Sequence, residues 1–100
     1  MVFVEVCGVT DVPEGQGKPF TVNGKGIALF NIEGDFYAVF NTCPHQDNPL
    51  DGGTIEDLVL SCPFHGWQFD VKTGKHLTFP NVGVPVYETK VEAGKVFVDL

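Results

Sequence analysis

Two short Cys/His pairs constrain this chain more than any other feature. They are Cys43-Pro44-His45 and Cys62-Pro63-Phe64-His65, with sixteen residues between His45 and Cys62. Thiolate and imidazole suit zinc, iron or an iron–sulfur cluster. A fold that uses both pairs must therefore bring two separate loops to one point. The surrounding sequence agrees, because Pro44, Pro49, Gly52, Gly53, Pro63 and Gly66 interrupt it repeatedly, and such punctuation marks loops.

Outside that stretch the chain reads as strand and turn. Val2, Val4 and Val6 alternate with Phe3, Glu5 and Cys7, the period of a strand. Residues 27–32 and 36–40 read as two strands joined at Glu33-Gly34-Asp35, and Asn23-Gly24-Lys25-Gly26 reads as a hairpin turn. Residues 54–55 and 58–61 flank a turn at Glu56-Asp57. Residues 67–71 and 75–79 form a further hairpin about Lys72-Thr73-Gly74. A strand over 84–91, a turn at Glu92-Ala93-Gly94 and a strand over 95–99 close the chain. One helical turn capped by Thr10 is the only helix expected, since no 3.6-residue apolar pattern persists. The expected fold is all-β. An antiparallel sandwich or barrel base (1–40 and 71–100) carries a small loop-rich, ligand-bearing insert (41–70), all within one domain of 100 residues.

Charge narrows the partners. The formal net charge is −7, with six Lys and no Arg. Phosphate backbones need basic surface, so a nucleic-acid partner is excluded. An acidic surface favours docking to a protein with a basic patch, although solubility alone also explains it. No apolar run has the length of a membrane span. The segment Met1-Val2-Phe3-Val4-Glu5 lacks the basic region of a secretory leader. Three Cys are too few for a secreted disulfide scaffold. A cytoplasmic location is expected. Neither Gly15-Gln16-Gly17 nor Gly24-Lys25-Gly26 opens a helix after a strand, so neither is a nucleotide loop.

The ligand set by itself leaves two readings open. Cys₂His₂ can be a structural zinc site, but zinc modules group Cys with Cys and His with His, usually on a helix. Here the order is Cys, His, Cys, His, on loops. Taken together, Cys43-Pro44-His45 and Cys62-Pro63-Phe64-His65-Gly66-Trp67 resemble the two signature loops of the Rieske family. The nearest likeness is to the soluble ferredoxins that serve bacterial ring-hydroxylating oxygenases. Leu50-Asp51-Gly52-Gly53, Phe69-Asp70 and Thr73-Gly74 share the resemblance.

The resemblance implies one Rieske-type [2Fe–2S] cluster. Cys43 and Cys62 would hold the inner iron as thiolates, and His45 and His65 the outer iron. It implies an electron carrier and not an enzyme, taking electrons from a flavin-dependent NAD(P)H reductase and passing them to a terminal Rieske non-haem iron oxygenase; transient one-to-one docking of that kind favours a monomer. Both partners would dock at the His45/His65 tip. Phe64, Trp67 and Pro80 would shield the cluster, with Phe79-Pro80-Asn81 as a third loop. The alternatives are a small Rieske-fold subunit of a nitrite-reductase-like complex and the zinc module. An oxygenase's mononuclear iron needs two His and a carboxylate, and only His76 remains after His45 and His65 are used.

Departures from the respiratory branch refine the expectation. That branch bridges its loops with a disulfide, and the matching positions here are Asn48 and Phe64. Its hydroxyl donors to sulfur fall at Trp67 and Phe69, which have none. Fewer donors stabilise less charge on reduction, so a potential near the low end of the Rieske range is expected, about −150 mV. Proton uptake on reduction is expected at high pH. Asp47 stands where many members have Gly, and Asp tolerates a left-handed backbone better than most residues. Cys7 reads as a small buried apolar residue. His76 reads as solvent-exposed and not a ligand.

Overall fold

The computed structural model describes residues 2–43, 49–63, 66–79 and 81–100. Among the described residues, ten strands form three antiparallel sheets. The first sheet has the order β1 (Phe3–Gly8), β10 (Lys95–Asp99), β9 (Thr89–Glu92). The second runs β2 (Gly17–Val22), β3 (Lys25–Ile32), β4 (Asp35–Phe40), β8 (Val86–Tyr87). The third is β5 (Thr54–Glu56), β6 (Val59–Ser61), β7 (Gln68–Asp70). The all-β expectation is met.

β3 explains how the sheets stack. Its Ile27-Ala28-Leu29-Phe30 run is buried throughout, as a strand covered on both faces should be. Ile27 and Leu29 join Phe36 and Ala38 of β4 and Val96 and Val98 of β10 in one core. Ala28 and Phe30 face the other way, into a second core with Val39, Leu50, Leu60, Phe69, Val71, Val84, Cys43 and Cys62. The second sheet is thus the shared wall between the first sheet and the loop-bearing third.

Hairpin turns fall where Gly signals place them. Asn23 and Gly24 both have positive φ, 51° and 78°, which is type I′ geometry and matches strand twist. Three details differ from expectation. The β5–β6 turn is made by Asp57 and Leu58, at φ 51° and 62°. Leu58 accepts the left-handed region because its side chain packs against the second core. The strand expected over 84–91 is two strands. β8 pairs with β4 and β9 with β10, so the chain changes sheets at Glu88, which makes a corner of the stack. The helical turn is a short 3₁₀ segment at Val9–Asp11. Its start is held by the Asp11 carboxylate, which accepts from Gly8 N–H at 2.8 Å, and Thr10 lies inside it.

Cys7 is half-buried and packs against the first core. Burial, and then the Asp11 carboxylate, push its thiol above the ordinary value. The native thiol therefore keeps its proton where an unfolded one has begun to lose it. The associated stability is complete below the unfolded value and lost as pH rises through the folded one. Iodoacetamide at pH about 9 is expected to modify Cys7 more slowly in native than in denatured protein, since thiolate is the reactive form. Quantifying the Cys7 peptide by mass spectrometry checks this, and equal rates would refute it.

Candidate metal centre

The first loop leaves β4 at Phe40, whose N–H is held by Pro85 O at 2.9 Å. Asn41 N–H then donates to Gly26 O at 3.0 Å, anchoring the loop entrance to the β2–β3 hairpin. Cys43 follows with 0% exposure. At the exit, Leu50 is fully buried, and Gly53 N–H donates to Leu50 O at 2.9 Å. Gly53 is required there, because a Cβ would stand 2.5 Å from Ser61 O and 3.1 Å from Leu50 O. The exit of the first loop therefore lies directly against β6.

The second loop leaves β6 at Ser61. Cys62 N–H donates to Trp67 O at 2.8 Å, and Cys62 O accepts from Gly66 N–H at 3.1 Å. These two bonds close the chain back on itself between Cys62 and Trp67. Cys62 is 3% exposed. Both thiols lie in the same apolar core, with Leu50, Leu60 and Phe69.

The expected Cys positions are thus brought together. Pro44, His45, Gln46, Asp47, Asn48, Phe64, His65 and Pro80 lie outside the described residues, so the imidazole half of the expected ligand set does too. Among the described residues no three metal-ligating groups converge, as follows when two of four candidates fall outside them. The observed half fits a metal cluster well. A bare thiolate in such a core would be costly, whereas a thiolate bound to metal has its charge compensated. Two thiols within one core cluster, each followed in sequence by His, offer soft ligands on the buried side.

Beyond β7, His76 overturns its expected exposure. It is 7% exposed. After the turn at residues 71–74 the chain folds back along β7, and His76 bridges to Phe69, which turns its ring inward. The ring stands perpendicular to Trp67, with centroids 4.7 Å apart. Its Nδ1 accepts from Thr78 N–H at 3.0 Å and Phe79 N–H at 3.1 Å. The ring proton of the neutral imidazole therefore sits on Nε2, which is buried and has no hydrogen-bond partner among the described residues. With Nδ1 committed to main chain, His76 organises the segment leading to residues 79–82, where Val82 N–H bonds to Phe79 O at 2.9 Å. The strand expected over 75–79 shrinks to isolated bridges at Lys75 and His76. Trp67 is half-buried and packs against the second core. Leu77 and Phe79 are 51% and 55% exposed.

No helix among the described residues is long and apolar enough to cross a membrane. The family model for the Rieske [2Fe-2S] domain matches residues 2–88. The ferredoxin component of the naphthalene 1,2-dioxygenase system of Pseudomonas putida is 36% identical, over 98% of this chain and 95% of its own. The ferredoxin subunit of 3-phenylpropionate/cinnamic acid dioxygenase of Escherichia coli K12 is 38% identical, over 97% and 92%. Among solved structures, a chain of the complex of reduced oxygenase and oxidized ferredoxin in carbazole 1,9a-dioxygenase superposes with a TM-score of 0.84 at 33% identity, covering 97% of this chain and 92% of that one. A protein described as an NADH-dependent nitrite reductase small subunit from Mycobacterium tuberculosis superposes at 0.91 with 27% identity, covering 97% and 93%.

Proposed function

This chain belongs to the Rieske [2Fe–2S] family, and from that premise we propose that it is the ferredoxin of a bacterial ring-hydroxylating dioxygenase system, a one-electron carrier and not the enzyme. Two buried thiols in one apolar core, on two loops that each continue to a His, carry this reading. Cys43 and Cys62 would hold the inner iron, and His45 and His65 the outer one. When bound, the cluster supplies a one-electron couple, raised above that of all-Cys ferredoxins because two neutral imidazoles replace two thiolates.

The chain's own part is to bury the thiolate side, orient both loops and leave the imidazole tip toward partners. A flavoprotein reductase and a terminal oxygenase would dock there in turn, steered by the net charge of −7. Transient docking suits a monomer working in the cytoplasm. The similarity to relatives from a naphthalene and a phenylpropionate system supports an aromatic substrate for the oxygenase and favours neither one. The close superposition on a nitrite reductase small subunit supports a second reading, a subunit of such a complex.

The test is a visible spectrum of anaerobically purified protein, before and after dithionite, with iron and sulfide assays and a redox titration. A red-brown chromophore that bleaches, with equal iron and sulfide, is expected, at a potential of about −150 mV. A colourless protein holding one zinc would overturn the reading. Electron transfer from a dioxygenase-system reductase then separates the ferredoxin from the nitrite-reductase alternative.

A further inference from the structure

The two ligand loops are closed by different means. The second is short, and its own main chain closes it, through Cys62 N–H to Trp67 O and Gly66 N–H to Cys62 O. The first is longer, running from Asn41 to Asp51. Its entrance N–H, at Asn41, is spent on Gly26, and the Gly53 N–H just past its exit is spent on Leu50. Among the described residues, entrance and exit are joined instead by one side chain. The Asn41 Oδ1 accepts from Leu50 N–H at 2.7 Å and Asp51 N–H at 2.9 Å. Its Nδ2 donates to Asp51 Oδ1 at 2.9 Å.

Resting on the reading that Cys43 and His45 are ligands, we propose that Asn41 is a positioning residue for the cluster, which sets the first loop against the second. The connection can be followed residue by residue. Asn41 holds Leu50 and Asp51. Leu50 is fully buried in the core cluster that also holds both thiols. Gly53 abuts Ser61 O, one residue before Cys62. A shift of the clamp therefore moves Cys43 relative to Cys62.

The residue type is demanded by the partners. Two N–H groups require an acceptor, and a carboxylate requires a donor, and a carboxamide offers both on two separate atoms, an oxygen with two lone pairs and an NH₂ beside it. Asp at 41 would keep the acceptor but set two carboxylates against each other. Ala would keep nothing. A reciprocal exchange, N41D with D51N, restores all three bonds with the amide donating from position 51.

The experiment compares wild type, N41A, N41D, D51N and the N41D/D51N exchange, loaded with cluster. It reads the midpoint potential, the EPR spectrum of the reduced state, and the rate of bleaching by a chelator. Thermal unfolding of the apoproteins is measured alongside. N41A and N41D are expected to bleach at least about tenfold faster, with a displaced potential and an altered EPR envelope. The exchange is expected to return all three readouts toward wild type, a coupling that a double-mutant cycle isolates. If N41A does not fold, N41D against the exchange still decides. Variants that melt earlier but keep wild-type potential, EPR and bleaching rate would reduce Asn41 to a structural residue and overturn the proposal. A wild type that binds no iron–sulfur cluster would instead overturn the function reading itself.

Discussion

A Cys62→Ala chain is expected to purify without visible absorption and with almost no bound iron. Cys43→Ala is expected to do the same, whereas Cys7→Ala keeps both. The reason lies in where the three thiols sit. Cys43 and Cys62 lie at the bases of the two loops, within one apolar core, and on the proposed ligand set removing either would leave the inner iron with a single thiolate. Cys7 lies on β1 and packs against the other core, with a thiol held toward its neutral form. Alanine is the informative replacement. Serine would place a hydroxyl at positions 0% and 3% exposed, adding a desolvation cost of about 1–3 kcal/mol that has nothing to do with the metal. A buried Cys without metal behaves as a small hydrophobe, so Ala should disturb the apoprotein little. The loaded wild type should melt higher than either variant, because ligand binding to the native state is folding free energy. Iron and sulfide assays with thermal melts check this. Full iron content in Cys62→Ala would remove Cys62 from the site.

Gly74→Ala is expected to cost about 3 kcal/mol and lower the melting temperature by about 12–24 °C. Two effects add. Gly74 has φ +79°, which costs an alanine about 1 kcal/mol or somewhat more. A Cβ there would also collide with Val84 O. That neighbour is main chain and cannot rotate away. It is tied to the same glycine, since Val84 N–H donates to Gly74 O at 2.9 Å. Relief requires moving Val84, which lies in the core that holds both thiols. Gly24→Ala is the control. Its φ is +78°, but a Cβ would meet nothing within 4 Å, so only the backbone cost of about 1 kcal/mol or somewhat more remains. Equal melting temperatures for the two variants would show that the close approach at Gly74 carries no weight.

Much of the strand pattern was legible along the chain because its signals are local. Alternation marks a strand, and Asn23-Gly24 marks a tight turn whatever lies across from it. Asp57-Leu58 was misplaced by one residue because no Gly announces a left-handed turn there. The change of sheets at Glu88 was invisible because both halves of 84–91 are equally good strand. His76 misled for a related reason. A His two residues after a turn glycine suggests solvent, and only the fold-back along β7 places it against Trp67 and Phe69. Asn41 carried no local signal beyond an amide at a strand end, because its partners are nine and ten residues away.

The sequence by itself determined the chemistry on offer: two Cys/His pairs on Pro/Gly-rich loops, an all-β frame and an acidic surface. These follow from residue identity and short-range periodicity, which need no partner to be read. The tertiary structure decided which groups share an environment. It set both thiols in one core behind a doubly covered β3, turned His76 inward, and gave closure of the first loop to one amide. Those outcomes depend on which main-chain segments can approach closely, at Gly53 against Ser61 and at Gly74 against Val84, and close approach is a property of the packed chain and not of any stretch of it.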